Sequence, residues 1–270
     1  MIFGNPRIFM TLATATMSNL PPIQVGLLGI GTVGSGVFRV LQRNQEEIRR
    51  RAGRGIAITM VADLDTERAR AVVGDAAQVV ADARAVIANP AIDIVVELIG
   101  GYGIARQLVL EAIAAGKHVV TANKALLAVH GSEIFAAAQA KGVMVAFEAA
   151  VAGGIPIIKA LREGLTANRI EWVAGIINGT TNFILSEMRD KGLDFDVVLK
   201  EAQRLGYAEA DPTFDIEGID AAHKATLMSA LAFGIPVQFD KAYVEGITKL
   251  QAADIRYAEQ LGYRIKLLGI

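Results

Sequence analysis

A short stretch of the chain, residues 205–224, concentrates five carboxylates and one lysine. They are Glu209, Asp211, Asp215, Glu217 and Asp220, with Lys224. Carboxylates of this density can hold the ammonium of a small zwitterion, and a lysine beside them can move a proton. Asp220 and Lys224 are four residues apart on a predicted helix, so they share a face. The alternative is a surface ion pair worth roughly a few tenths of a kcal/mol.

A second chemically suggestive cluster is the hexamer 29–34, Gly-Ile-Gly-Thr-Val-Gly, which matches G-x-G-x-x-G. It follows a predicted strand and begins a predicted helix, the context that indicates a dinucleotide site. Gly29 permits a tight turn, Gly31 lets the backbone approach a pyrophosphate, and Gly34 allows close packing of helix and strand. Amides at the helix N-terminus, where Thr32 and Val33 lie, can bind the phosphates. The alternative is a plain tight turn.

The second predicted strand ends at Asp63, and the residues there bear on which dinucleotide is bound. A carboxylate in this place accepts hydrogen bonds from the ribose 2′-OH and favours NAD. Asp65 competes for that role. Arg68 and Arg70 could pair with a 2′-phosphate and favour NADP, or they could belong to a solvated helix face. The sequence leaves the choice between NAD and NADP open.

Three further turns follow predicted strands. Residues 97–101 end the third strand, where Gly100 and its neighbour either let the backbone approach the nicotinamide ribose or form another tight turn. Lys124 falls at the carboxyl end of the sheet, where ligands bind, although it could be an ordinary loop lysine. Residues 178–182, Asn-Gly-Thr-Thr-Asn, can cap the next helix, line a polar pocket, or do both.

The bulk composition excludes several classes of protein. The chain has 270 residues, 53% of them hydrophobic and 20% charged, with a net charge of −1. This balance gives no reason to expect nucleic acid or a membrane surface as a partner. Cysteine is absent, so disulfides, thiolate zinc sites and a cysteine nucleophile are excluded. The three histidines, His118, His130 and His223, lack the spacing of a zinc site.

No apolar run reaches the roughly 20 residues that a membrane-spanning helix needs. Residues 1–22 are apolar and contain Ala13-Thr14-Ala15, a loose match to a signal-peptidase site, but Arg7 is the only cation and no uninterrupted apolar core follows it. We therefore expect a disordered extension or a mis-assigned start, with Met17 as a second start, rather than a signal peptide. A cytoplasmic location is the expectation.

Strands and helices alternate through the first half of the chain. The predicted strands are 23–28, 56–62, 92–98, 118–121 and 143–147, and the predicted helices are 32–50, a charged helix through 70, 106–115 and 131–140. This alternation predicts an α/β fold, a doubly wound parallel sheet of the Rossmann type. The pattern changes after Glu148, so residues 23–150 are expected to form a dinucleotide-binding domain.

Residues 151–270 are expected to form an α+β domain for substrate binding and dimerisation. A strand is predicted at 170–177 and helices at 195–205 and 217–233, with Asp215 capping the second helix. Residues 263–270 read as a strand in mid-course. Because an unpaired apolar strand at a chain end would promote aggregation, we expect this domain to be incomplete.

Together these motifs resemble the homoserine dehydrogenase family. The resemblance runs from about residue 23 to residue 270 and is carried by the segments 29–34, 97–101, 121–124, 148–156, 178–182 and, above all, 206–224. It implies interconversion of L-homoserine and L-aspartate 4-semialdehyde with NAD or NADP. It also implies a role in threonine, methionine and isoleucine synthesis, and a homodimer or a higher oligomer.

The resemblance also implies individual roles. Lys224 would be the proton-transfer lysine, with Asp220 beside it in contact with substrate. Glu209 and Asp215 would bind substrate, Lys124 would contact substrate and cofactor, and Gly206 would approach the nicotinamide. A structural sodium ion would be held by carbonyls of the glycine turn 148–156, which are those of Glu148, Val151, Gly153 and Ile155. Two rival functions remain open: a different amino-acid or sugar dehydrogenase, and a non-catalytic dinucleotide-binding fragment.

Overall fold

A computed structural model of the chain describes residues 20–270. The predicted N-terminal extension therefore lies outside the described residues up to residue 19. The described chain divides into two compact units. The first comprises the chain up to Ile99 together with Gln107–Val120 and Lys141–Met144, and the second comprises Gly100–Arg106, Thr121–Ala140 and Val145–Ile270. The predicted domain boundary near residue 150 stays a prediction.

Six strands form one sheet. They are β1 (Ile23–Leu28), β2 (Ile56–Ala62), β3 (Gln78–Val80), β4 (Ile94–Glu97), β5 (His118–Thr121) and β6 (Val145–Ala146). Their order is β3-β2-β1-β4-β5-β6. β1 pairs in parallel with β2 and β4, and β2 pairs in parallel with β3. The strand order reverses at β1, as in doubly wound dinucleotide-binding sheets, so the predicted fold class is confirmed.

Thirteen helices are present among the described residues. They are α1 (Thr32–Arg43), α2 (Gln45–Ala52), α3 (Thr66–Val73), α4 (Ala83–Ala88), α5 (Gly103–Ala114), α6 (Lys124–Lys141), α7 (Glu148–Val151), α8 (Ile157–Lys159), α9 (Gly179–Lys191), α10 (Phe195–Arg204), α11 (Thr213–Ile216), α12 (Ile219–Phe233) and α13 (Ala252–Gln260). A π-helical turn, Ala160–Gly164, continues α8. In the described part of the chain, none of these helices has the length and apolarity to cross a membrane.

Each unit has its own hydrophobic core. In the first unit, β1 is apolar except at Gln24, its last four residues are buried, and Leu27 and Val61 are fully buried. In the second unit, Ile184 and Met188 of α9 pack with Val198 of α10. Both cores are mainly aliphatic, with Phe38 buried in the first.

Two predicted strands are wrong. Neither 170–177 nor 263–270 forms a strand, and the two segments meet at one isolated bridge, in which Gly175 and Gly269 exchange N–H···O bonds of 3.0 Å. A strand needs a run of backbone partners, and within residues 20–270 Gly175 and Gly269 are the one backbone pair that joins these two segments. Trp172, within the first of these segments, is 70% exposed.

Several helix boundaries also differ from the prediction. The long first helix is interrupted at Asn44, and α6 begins at Lys124 rather than at Gly131. Asp215 does not cap α12; the residue before that helix is Gly218, in the left-handed region at φ +79°. β3 and α4 had no clear periodic signal, because both are very short.

Candidate active site

The glycine hexamer forms the turn between β1 and α1, and two of its glycines are sterically required. Gly29 has φ +94°, and a Cβ there would lie 2.8 Å from the Leu98 carbonyl oxygen. A Cβ on Gly34 would lie 2.1 Å from the Gly29 carbonyl oxygen. These contacts correspond to the tight-turn and close-packing roles that the motif predicts.

The middle glycine of the motif, Gly31, has open space around it. A Cβ on Gly31 would meet nothing within 4 Å. Gly31 precedes the first turn of α1, and neither an acidic side chain nor a side-chain cap is present there. Thr32 and Val33 are exposed in that turn. An accessible helix N-terminus without a side-chain cap suits an anionic phosphate.

Asp63 ties the end of β2 to the glycine turn. Its carboxylate accepts hydrogen bonds from the N–H of Ile30 at 2.8 Å and of Asp65 at 2.9 Å, and Arg68 pairs with it at 3.2 Å. Burial alone would raise the pKa of Asp63, but the two backbone N–H groups and Arg68 outweigh it and lower that pKa. Asp65 instead caps α3 through the N–H of Arg68.

Gly100 begins the second unit in the left-handed region, with φ +82°, and a Cβ on it would meet nothing within 4 Å. Its neighbour Gly101 has φ +73°, and its carbonyl accepts a 2.7 Å hydrogen bond from Asn123 Nδ2. The same Asn123 accepts the N–H of Leu126 through Oδ1. Asn123 thus fixes both the glycine turn and the start of α6, where Lys124 lies.

Asp220 joins two lysines in the second unit. Its Oδ2 lies 2.7 Å from Lys224 Nζ, and its Oδ1 lies 3.1 Å from Lys124 Nζ. The Asp220 side chain is 6% exposed, that of Lys224 18% and that of Lys124 32%. The three residues come from the N-terminal parts of α6 and α12, so the structure brings together three of the predicted site residues.

The Asp220 carboxylate is ionised in this cluster. Burial by itself would raise the pKa of Asp220. Hydrogen bonds from Lys224 and Asn178, with the charges of Lys224 and Lys124, outweigh burial and hold that pKa below its usual value. At neutral pH the negative charge of Asp220 between two ammonium groups keeps both lysine side chains in place.

Asn178 and Ile177 complete the cluster. Asn178 Nδ2 donates to Asp220 Oδ2 at 2.9 Å and to Asp215 Oδ1 at 2.7 Å. Lys224 Nζ donates to the Ile177 carbonyl at 2.9 Å. Asp215, which was predicted as a substrate ligand, is therefore linked to Asp220. The sequence singled out the polar segment after Ile177 but gave no sign of the carbonyl contact.

Two other predicted residues lie apart from the hydrogen bonds of this cluster. Glu209 is exposed on the loop after α10, and within residues 20–270 its carboxylate has no hydrogen bond to the lysines or to Asp220. Gly206 ends α10 in the left-handed region at φ +78°. The neighbouring Tyr207 carbonyl accepts a 2.8 Å hydrogen bond from Thr180, which fixes this loop to the start of α9.

The histidines take packing roles. His223 is 1% exposed and stacks edge-on against Phe214 and Phe239. Its pKa is lowered, first by burial and then by the charge of Lys124. His118 Nδ1 accepts the N–H of Met144 at 3.0 Å. In the part of the chain that the structure describes, no three His, Asp or Glu side chains are grouped as metal ligands.

The glycine turn 148–156 is organised by Glu148. Its carboxylate accepts the N–H groups of Ile158 at 2.7 Å and Lys159 at 2.9 Å, so it caps α8 from a distance. The carbonyl of Glu148 accepts the N–H of Ala152, and that of Ile155 accepts the N–H of Ile157. A carbonyl oxygen has two lone pairs, so each keeps one acceptor position.

The fold and these sites define a dinucleotide-binding protein with a buried lysine–carboxylate cluster. Two family models match the chain, "Homoserine dehydrogenase, NAD binding domain" over residues 29–148 and "Homoserine dehydrogenase" over residues 156–270. The homoserine dehydrogenase of Pseudomonas aeruginosa is 66% identical over 93% of this chain, and that of Bacillus subtilis is 46% identical over 92%.

Solved structures give the same result. A homoserine dehydrogenase from Thiobacillus denitrificans is 71% identical, with a TM-score of 0.88, over 92% of this chain and 57% of its own. A putative homoserine dehydrogenase from Archaeoglobus fulgidus is 35% identical, with a TM-score of 0.80, over 91% of this chain and 79% of its own. The chain belongs to the homoserine dehydrogenase family. It spans 57% of the length of the Pseudomonas and Bacillus relatives.

Proposed function

We propose that this protein interconverts L-homoserine and L-aspartate 4-semialdehyde by transfer of a hydride to or from NAD or NADP. The observation that carries the proposal is the Asp220 carboxylate that holds Lys224 at 2.7 Å and Lys124 at 3.1 Å. Such an arrangement supplies a proton-transfer group and a positive charge at one place, and oxidation of an alcohol needs both.

The nucleotide belongs at the N-terminus of α1. The steric requirement for Gly29 and Gly34 and the open space at Gly31 support binding of a pyrophosphate there. A hyperthermophilic archaeal homoserine dehydrogenase, 25% identical to this chain, has been solved in complex with NADPH. We propose that both NAD and NADP are candidates here, since Asp63 favours a ribose hydroxyl and its partner Arg68 favours a 2′-phosphate.

The dinucleotide, when bound, accepts or supplies the hydride. In the oxidation direction the neutral amine form of Lys224 takes the hydroxyl proton of the substrate and becomes an ammonium, and in the reverse direction that ammonium donates the proton to the aldehyde oxygen. Asp220 keeps Lys224 aimed through the 2.7 Å contact. Lys124 adds positive charge beside the reacting oxygen. Asp215 and Glu209 are proposed to bind the substrate ammonium.

A sodium ion is proposed at the glycine turn. Carbonyls of Glu148, Val151, Gly153 and Ile155 are the proposed ligands, and carbonyl oxygen suits a hard cation. The spare acceptor positions of Glu148 and Ile155 are compatible with this ligand set. The ion would hold the turn together and takes no part in the transfer of hydride.

A homodimer or a higher homo-oligomer is also proposed, in a cytoplasmic enzyme of threonine, methionine and isoleucine synthesis. In the second unit, Trp172 is 70% exposed and Ile176 is 55% exposed within one segment. Large apolar side chains grouped on a surface commonly mark a protein interface.

The proposed function is tested by initial rates of homoserine oxidation with each dinucleotide. We expect turnover by the wild-type chain, and we expect Lys224→Ala to lose it by at least about 10³-fold while dinucleotide binding persists. Unchanged turnover in Lys224→Ala would remove Lys224 from the mechanism. Dinucleotide binding without turnover in the wild type would instead favour a non-catalytic binding protein, and reduction of a different keto acid would favour another dehydrogenase.

A further inference from the structure

Asn178 occupies a buried position with no role in the reaction described so far. It precedes α9 and is 4% exposed. Its Oδ1 accepts the N–H of Thr181 at 2.9 Å and the hydroxyl of Thr181 at 2.7 Å. The N–H donor fixes the orientation of the amide, because a flipped amide would set its NH₂ group against the Thr181 N–H, whereas a hydroxyl could either donate or accept.

The fixed orientation points both amide hydrogens at carboxylates. Nδ2 donates to Asp215 at 2.7 Å and to Asp220 at 2.9 Å, which uses its two hydrogens. Two like charges held this close repel each other unless a donor lies between them. The residue before Asn178, Ile177, contributes the carbonyl that binds Lys224 at 2.9 Å. Two consecutive residues thus contact the two members of the ion pair: Asn178 binds Asp220, and Ile177 binds Lys224.

We propose that Asn178 is a positioning residue for the proposed dehydrogenase: its amide bridges Asp215 and Asp220 and thereby sets the position of the Lys224 ammonium. The proposal rests on the proposed function for its effect on turnover. The charged groups in contact around the bridge are Lys124, Lys224, Asp215 and Asp220, whose charges sum to zero. His223 of α12 also interacts with Lys124 and Asp220, but burial and the charge of Lys124 lower its pKa, so it adds no positive charge at neutral pH.

The sharpest variant is Asn178→Asp. It keeps the shape and the oxygen that accepts from Thr181, and aspartate caps a helix as well as asparagine does. It removes the donor and places a third carboxylate against the other two. The matched control is Thr181→Val, which removes the 2.7 Å hydroxyl bond to the cap but leaves both carboxylate contacts.

We expect Asn178→Asp to lower kcat for homoserine oxidation about 10²-fold, because a displacement of about 1 Å of a reacting group has that cost. Its KM for the dinucleotide should stay within twofold of the wild type, and so should both constants of Thr181→Val. Asn178→Asp with wild-type kcat would overturn the proposal. An equal loss in Thr181→Val would overturn it as well, since capping alone would then explain the loss.

A second measurement separates this proposal from the proposed function. The carboxyl ¹³C signal of Asp220, assigned by its absence in Asp220→Asn, is titrated in the free chain without substrate. We expect the apparent pKa of Asp220 to be raised in Asn178→Asp relative to the wild type and unchanged in Thr181→Val. An unchanged titration in Asn178→Asp would refute the bridge. If the wild-type chain shows no turnover, the proposed function fails while this titration still decides the role of Asn178.

Discussion

Asp220 serves as a single counter-ion for two lysines, and it is the residue on which the whole cluster depends. Each of its oxygens has its own ammonium partner, and Oδ2 also accepts from Asn178. Without this carboxylate, Lys124 and Lys224 would be two like charges with no partner between them. Removing one member of a buried ion pair generally costs more free energy than the pair contributes, because the remaining charge stays desolvated.

Asp220→Asn should therefore reduce both stability and turnover. At pH 7 we expect the free energy of unfolding to fall by about 2–3 kcal/mol, below the roughly 3–5 kcal/mol of fully buried pairs because both lysines keep some contact with water. Urea unfolding measures this difference, with the exposed variant Asp240→Asn as a control that should change stability by less than about 0.5 kcal/mol. A wild-type unfolding curve for Asp220→Asn would contradict the structure.

The difference in free energy of unfolding between the wild type and Asp220→Asn should depend on pH in a direction that the pKa of Asp220 sets. The folded-state pKa of Asp220 lies below its ordinary value of 3.8. The stabilisation is therefore fully present above pH 3.8 and is lost as the pH falls through the lower folded-state pKa. The difference in free energy of unfolding between the wild type and Asp220→Asn should accordingly stay constant through neutral pH and become smaller only in strong acid. Narrowing that began at pH 6 would indicate a different titrating group.

At the scale of elements, two glycines of the turn between β1 and α1 have different roles. Gly34 is required by steric packing, whereas Gly31 is proposed to leave space for a bound phosphate. Gly34→Ala should cost about 3 kcal/mol or more, because the new Cβ would overlap the Gly29 carbonyl, which is backbone and has no room to move. Gly31→Ala meets open space, so it should fold with stability within about 0.5 kcal/mol of the wild type.

Titration with each dinucleotide then distinguishes the two variants. Gly31→Ala should weaken binding about tenfold or more, because its methyl group would occupy the space through which a pyrophosphate approaches the backbone. Thermal unfolding checks that the variant is folded. Wild-type affinity in Gly31→Ala would show that the phosphates do not approach this residue.

The elements that the sequence predicted correctly are those with a local signal. β1 and β2 are mostly apolar and agree with the predicted limits, and so do the start of α10 at Phe195 and the end of α12 at Phe233. The predicted strand 170–177 was wrong because pairing depends on distant backbone, which periodicity does not report. Gly131 was taken as a helix start, yet it lies inside α6, where a Cβ would meet Phe135 at 3.2 Å and Val237 at 3.3 Å.

The candidate site could be predicted only in part, because only some of its contacts join residues that are close in sequence. Asp220 and Lys224 are one helical turn apart, so their spacing alone indicated a shared face. Lys124 joins them from α6, and Ile177 contributes only a carbonyl, which no side-chain pattern reveals. The double contact of Asn178 with Asp215 and Asp220 likewise depends on the folded positions of α11 and α12.

At the scale of the whole molecule, the two units carry different chemistry. The glycine turn and Asp63 belong to the first unit, whereas the lysine–carboxylate cluster lies entirely within the second. The two family models follow a similar division, at residues 29–148 and 156–270. A ligand that binds only the folded first unit should raise its apparent stability by about 2.7 kcal/mol at a hundredfold excess over Kd.

Self-association can be followed with the single tryptophan of the chain. Trp172 is 70% exposed in one copy, and Ile176 of the same segment is 55% exposed. If this segment forms the proposed interface, dilution should shift the tryptophan emission to longer wavelength as the side chain becomes solvated.

Analytical ultracentrifugation should show the mass of at least two chains at high concentration, and Ile176→Lys should reduce it to the mass of one chain. A matched exchange on the same unit, Leu193→Lys at a side chain that is 37% exposed, should leave the assembly intact. A monomer at every concentration would refute the proposed self-association. An assembly that Ile176→Lys does not disturb would place the interface elsewhere, because a lysine ammonium cannot be buried against apolar side chains without a partner.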